Sequence, residues 1–275
     1  RVRKMSKNNH QYHLVDPSPL PIFTSFSMLV LAIGGVMFMH DYVLGNVILP
    51  LGFVLTLSCM YSWWRDVIKE GKEDKAHTAV VQNGLSVGMI LFILSEVMFF
   101  FVFFWAFFYA RLFPQEMTAG DPWSVIDGLW PPKGIMLLDP WNIPFMNTLI
   151  LMLSSTTVIW ANVALSLNKR DEAVKALGIT IFLAIVFTAL QAYEYHHASF
   201  TFTQGIYPSN FFMATGFHGL HVIIGTIFLI VCYNRTKKGD FDAGNSRLGF
   251  KFASWYWQFV DIVWILLFIF LYVLG

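Results

Sequence analysis

The groups in this sequence with most capacity for chemistry are ionisable side chains set inside long apolar stretches. Glu96 is the sharpest case, with Phe92, Ile93, Phe99 and Phe100 one helical turn away on either side. A charge at that depth in hydrocarbon is costly, which makes such a residue a functional candidate by default. Its own segment offers no cation, so Glu96 needs a partner from another segment. Two readings stand: a proton-accepting or lipid-organising carboxyl, and a hydrogen-bonded packing element. His218 and His221 lie three residues apart and share a helical face with Gly225. That spacing can ligate metal, but haem or copper would want further His, Met or Cys ligands from facing segments. A hydrogen bond from Glu96 to His218 or His221, which lie at similar depth, is the preferred expectation, and no metal is expected. Gln258 and Asp261 form a second polar pair inside an apolar run, best read as an interhelical hydrogen-bonding element. Glu194, His196 and His197 cluster at a segment end, where solvation is expected to satisfy them. Cys59 and Cys232 belong to no CxxC or CxxCH motif, so zinc, iron–sulfur and covalent haem sites find no support there.

The elements that must position these groups follow from composition. Of 275 residues, 56% are hydrophobic, 17% aromatic and only 13% charged, far outside the range of water-soluble domains. In lipid every backbone donor and acceptor must be paired internally, which leaves helices or closed barrels. Barrel strands alternate over about ten residues; the apolar runs here do not alternate and reach the roughly twenty residues a spanning helix needs. The expected fold is therefore all-α and integral to the membrane. Its seven spans run Ile22–Met39, Val47–Trp64, Ala79–Ala110, Ile143–Leu167, Ala173–His196, Phe211–Tyr233 and Phe252–Leu274. The first two, joined by a turn around His40, Asp41 and Gly45, should form a tight antiparallel hairpin.

Charge then orients the bundle. Sixteen of the Lys and Arg residues fall before the first span or in and beside the connections after the second, fourth and sixth, with Lys175 just inside the start of the fifth, and only Arg111 and Lys133 fall on the other side. Cations concentrate on the untranslocated side, which puts the N-terminus inside and the C-terminus outside. The organisation expected is an inner-side arm over 1–21, a two-helix bundle over 22–64, an inner-side linker over 65–78, and a five-helix bundle over 79–275. That last bundle carries a Pro- and Trp-rich outer loop over 111–142. The first twenty residues have no apolar h-region, so no secretory signal is expected. The net charge of +1 forms no basic stripe and argues against a nucleic-acid partner. Trp63, Trp64 and Arg65 close the second span at the inner interface, where indoles prefer the headgroup level and a guanidinium can fork onto phosphate.

Several ordered blocks resemble subunit III of the haem–copper (cytochrome c) oxidases. They include HQYHLVDPSPLP at 10–21, YSWWRDVIKEG at 61–71 followed by His77 and Thr78, GMILFILSEVMFFFVFFWAFFYA at 88–110, WPPKGI at 130–135, LQAYEY at 190–195, TGFHGLHVIIGT at 215–226 and WYWQFVDIVW at 255–264. The likeness covers essentially the whole chain. It implies a two-helix and a five-helix bundle with a lipid-filled cleft between them, and no redox centre in this chain. Haem and copper would sit in partner subunits, with subunit I the main contact, subunit II a further one, and accessory subunits beyond. Bound phospholipids are the only expected ligands. The resemblance makes Glu96 the buried functional carboxyl, with His218 and His221 as its partners, and Trp63, Trp64, Arg65 and His77 lipid-binding positions. It also implies a role in supporting proton uptake and durability in turnover, in the mitochondrial inner membrane with a matrix-side N-terminus, or alternatively in a bacterial plasma membrane. Lack of a signal and 28 phenylalanines favour the mitochondrial setting.

Departures from that pattern matter. SRLGFKF at 246–252 stands where the family reads HHFGFEA, so two histidines and a glutamate are gone. Arg247 and Lys251 gain a lipid-phosphate role, and inner-surface proton collection through the lost groups falls away. Gln258 stands in place of a histidine. Two other classes fare worse. A di-iron desaturase needs histidines in paired clusters near one interface, and these eight are dispersed. A transporter relay through Glu96, His221 and Asp261 would be expected to use broken helices.

Overall fold

The computed structural model describes residues 12–72, 76–114, 130–131, 135–242 and 246–275. Seven helices follow one another: α1 Leu20–Met39, α2 Gly45–Lys72, α3 Ala79–Leu112, α4 Ile143–Ser166, α5 Arg170–His197, α6 Ile206–Lys237 and α7 Leu248–Leu267. A π-helical turn, Phe268–Val273, continues α7. All seven are long and apolar enough to cross a membrane, and the described residues contain no strand. The chain is an all-α, multi-pass membrane protein.

Most helix ends extend beyond the hydropathy-based limits, although α4 stops one residue short, at Ser166. The stretch expected to be a linker from residue 65 is helical as far as Lys72, and α6 begins at Ile206 with Pro208 in its first turn. Hydropathy marks where a helix meets lipid, whereas backbone hydrogen bonding carries on into water. Lys69 and Lys72 in the last turn of α2 complement the negative end of its dipole. Pro208 is tolerated because first-turn N–H groups have no intrahelical acceptor. Arg1, Arg3, Lys4, Lys7, His10, Lys75, Trp123 and Lys133 lie outside the described residues.

The chain divides into two compact units, Arg1–Leu85 and Ser86–Gly275, with the boundary inside α3. In the first, α1 and α2 form the expected hairpin. A Cβ added at Gly34 would fall 2.6 Å from the Leu49 amide nitrogen, and one at Gly52 would fall 2.6 Å from Leu31 Cα. Contact positions thus climb one helix as they descend the other, and the two backbones touch. Only glycine permits that approach, and close van der Waals packing is what holds helices together in lipid.

In the second unit, α4–α7 surround a core that includes Leu151, Phe187, Phe211, Trp257 and Trp264. Hydroxyl and indole groups lock it. Thr157 on α4 meets Thr180 on α5 at 2.7 Å. The indoles of Trp257 and Trp264 donate to Ser154 and Thr148 on α4, each at 3.0 Å, and Tyr195 on α5 donates to Thr215 on α6 at 2.6 Å. The 86–112 part of α3 joins this unit through rings: Phe99 packs edge-on to Phe217 with centroids 5.0 Å apart, and Phe108 to Phe270 at 4.9 Å.

Candidate functional site

Glu96 lies on the same side of α3 as Phe92, Phe99 and Phe100, which pack toward α6 and α7. The carboxyl Oε2 stands 2.9 Å from His221 Nε2 on α6. The other imidazole nitrogen, Nδ1, lies 2.6 Å from the Phe217 carbonyl. A carbonyl can only accept, so Nδ1 carries a proton in either form of the ring. Nε2 then has two states: it accepts from a protonated Glu96, or it is itself protonated and donates to the carboxylate. With one proton on that 2.9 Å line, the pair is net neutral in either arrangement. Phe100, Tyr256 and Phe259 flank the imidazole. The Glu96 side chain keeps 22% of its surface exposed and His221 only 11%, so the carboxyl is the end of the pair open to the surroundings.

His218, the alternative partner, turns elsewhere. It is fully buried, with Nε2 donating to the Val260 carbonyl at 3.1 Å, between the rings of Phe187 and Trp264. The two histidines therefore do not converge on a common ligand, despite their shared face. Asp261 is buried and faces Ser155 on α4, while Gln258 is half-buried.

Glu194 corrects an expectation. It is not solvated at the end of α5 but buried at 4% exposure, accepting a 2.6 Å hydrogen bond from the Tyr272 hydroxyl. His196 and His197 remain exposed. The signal was present in the spacing: Thr180, Ala184, Phe187, Gln191 and Glu194 recur on one buried face of α5.

The residues expected at lipid headgroups are distributed as follows. Trp63, Trp64 and Arg65 are exposed toward the C-terminal end of α2. Lys251 is exposed with its ammonium 4.5 Å from the centre of the Trp255 ring. Arg247 is committed within the chain, donating from Nε to the Phe241 carbonyl and from its terminal nitrogen to Asn168 Oδ1. His77 sits beside Glu70 and His13, a grouping that sequence reasoning did not anticipate. Burial, and secondarily the neighbouring His13, hold its pKa below the ordinary histidine value against the opposing pull of Glu70.

Comparison with known proteins gives this geometry a context. A family model described as cytochrome c oxidase subunit III matches residues 10–275. The "Probable cytochrome c oxidase subunit 3" of Rickettsia bellii is 57% identical over 268 residues, covering 97% of this chain and 96% of that protein. The cytochrome c oxidase subunit 3 of Arabidopsis thaliana is 51% identical over 271 residues, covering 98% and 99%. That of Chondrus crispus is 51% identical over 270 residues, covering 98% and 96%. Matches that run the length of both chains, at identities where fold and motif order are retained, mean that the chain belongs to the cytochrome c oxidase subunit III family.

Proposed function

We propose that this chain is the non-redox core subunit of a terminal respiratory oxidase, complex IV. That enzyme reduces oxygen to water with electrons from cytochrome c and pumps protons. The chain binds subunit I, contacts subunit II and accessory subunits, and leaves haem and copper to those partners. Its own contribution is to support proton uptake and endurance in turnover, and the Glu96–His221 pair carries that reading. A carboxyl and an imidazole that exchange one proton along a 2.9 Å bond, with the carboxyl partly open, can take up and return a proton without leaving a net charge in the bilayer.

Phospholipids are the proposed ligands. Trp63 and Trp64 supply interfacial indoles, Arg65 a guanidinium fork and Lys251 a cation near the start of α7. His77 and Arg247 are weaker candidates, since Arg247 is bonded within the chain and His77 shares its space with a carboxylate. The charge asymmetry supports a N-terminus on the untranslocated side. That side is the matrix in a mitochondrial inner membrane and the cytoplasm in a bacterium, and relatives from plants and from Rickettsia fit both settings.

The test is to tag the chain, purify the assembled oxidase, and then strip this subunit with detergent. The reading predicts that haem absorption and copper stay with the remaining subunits, while the stripped enzyme loses activity faster during turnover. Haem or stoichiometric copper leaving with this chain would overturn it.

A further inference from the structure

We propose that Asn147, Gln191 and Glu194 form a closed binding site for roughly one or two water molecules, at the end of the bundle where α4 and α6 begin and α5 and α7 finish. It is independent of the Glu96–His221 pair. Four side-chain atoms there are buried and have no hydrogen-bond partner among the described residues: Glu194 Oε2, Gln191 Oε1, and both Oδ1 and Nδ2 of Asn147. The three residues are 4%, 5% and 0% exposed for Glu194, Gln191 and Asn147 respectively. Buried polar atoms left unpaired are costly, and in protein interiors a bound water is what satisfies them.

Helix register brings these atoms to one level. Gln191 and Glu194, three residues apart, share the buried face of α5. The 2.7 Å contact between Thr157 and Thr180 aligns α4 antiparallel to α5. Ten residues from that contact along each helix lie Asn147 on α4 and position 190 on α5. Trp264 forms the floor. Its indole donates to Thr148, beside Asn147, and its ring centroid lies 4.8 Å from Phe187 and 5.9 Å from Tyr272. Eight residues beyond Trp264, Tyr272 would be turned about 80° off that residue's face in an unbroken α-helix. The stretch Phe268–Val273 is π-helical instead, and its wider turn rotates less per residue and takes up part of that excess. The Tyr272 hydroxyl thereby reaches Glu194 Oε1 at 2.6 Å, and Gln191 Nε2 donates to the same hydroxyl oxygen at 3.5 Å. Tyr207 on α6 donates to the Leu271 carbonyl at 3.0 Å and holds the π-helical turn in place.

The bonding fixes what each atom offers. Gln191 donates to Tyr272, so the Tyr272 proton points at Glu194 Oε1, which is the accepting oxygen. The titratable groups facing Glu194 are phenols: Tyr195 on its own helix, Tyr207 on α6 and Tyr272 after α7, while the buried face of α4 carries none. Phenols supply no positive charge, and among the described residues no cation pairs with Glu194. A carboxylate would be buried there without compensation, which costs more than keeping the proton. Glu194 is therefore the neutral acid, with Oε2 as a donor. Two donors, Glu194 Oε2 and Asn147 Nδ2, then face two acceptors, Gln191 Oε1 and Asn147 Oδ1. Water donates twice and accepts twice, which matches that set. A metal ion would find two donors it cannot use, and an anion would find two acceptors. Glu194 is thus a second group that holds a proton inside the bundle, with water as its hydrogen-bond acceptor.

The experiment is a structure of the assembled oxidase at a resolution that shows individual waters, joined to infrared spectra of parent, Glu194→Gln and Tyr272→Phe enzyme. Ordered water is expected within hydrogen-bond distance of Glu194 Oε2 and of Asn147 or Gln191. The parent spectrum should contain a protonated-carboxyl C=O band, lowered in D2O, that is lost in Glu194→Gln. Tyr272→Phe should retain that band but move it to higher frequency, because the C=O oxygen loses its phenol donor. The structure needs only parent enzyme, so the test stands even if a variant fails to assemble. Asn147, Gln191 and Glu194 paired directly with one another or with a partner subunit, with no water between them, would overturn the proposal. So would identical carboxyl bands in parent and Glu194→Gln.

Discussion

The α1–α2 hairpin and the α4–α7 bundle solve the same problem, holding helices together in lipid, by different means. The hairpin brings backbones into contact at Gly34 and Gly52 and uses its hydroxyls inward, with Ser27 and Thr56 bonded to carbonyls of their own helices. The bundle fills its interior with Trp257, Trp264 and Phe187 and ties the indoles to Ser154 and Thr148. Burial follows suit. Within the most apolar window, 11% of each hairpin helix is buried by the chain, against 50% of α4 and 61% of α7. The contrast teaches that the hairpin and α3, at 6%, are elements whose surfaces are left for lipid or partner subunits. The bundle is the part with a core of its own. Glu96 lies on the least covered helix and takes its partner, His221, from the bundle.

The comparison breaks most severely at the bundle core. Trp257→Ala removes a fully buried indole and should cost about 3–5 kcal/mol, read as a lowered thermal midpoint and reduced recovery of the assembled complex. A smaller effect is expected in the hairpin, where Gly52→Leu must push two backbones apart. Overpacking of that kind costs roughly 1–3 kcal/mol, and it should raise protease sensitivity in the connection between α2 and α3 while leaving α4–α7 protected. Ser154→Ala tests the bundle's polar lock alone. Interhelical hydrogen bonds in membranes average about 0.6 kcal/mol, so a small destabilisation is predicted, and a Ser154→Ala loss as large as that of Trp257→Ala would show that the hydroxyl, not the packing, holds the core.

Much of this was legible beforehand. Apolar runs located all seven helices, and matching depth brought Glu96 to the histidine pair, because helical rise converts residue count directly into position. What escaped notice depended on contacts that no spacing encodes. Choosing His221 over His218 required the crossing of α6 and α7, which hands His218 to the Val260 carbonyl. Arg247 bonds to Asn168 across a connection far away in sequence, so its free-cation reading could not have been corrected in advance. His13, Glu70 and His77 meet only because the chain after α2 doubles back. The burial of Glu194 is different, since the period of the α5 face carried it and the apparent helix end concealed it.

The central claim, that Glu96 and His221 form a proton-holding pair in a subunit without its own redox centre, is tested most directly by Glu96→Gln in the assembled oxidase. Gln preserves size and can still hydrogen-bond to His221, but it cannot hold or release the proton. The account predicts parent-like assembly and haem spectra and a parent-like initial rate at low pH, with proton uptake or sustained turnover lost at alkaline pH. Parent behaviour in Glu96→Gln at both pH extremes and through prolonged turnover would contradict it and leave the pair a packing element.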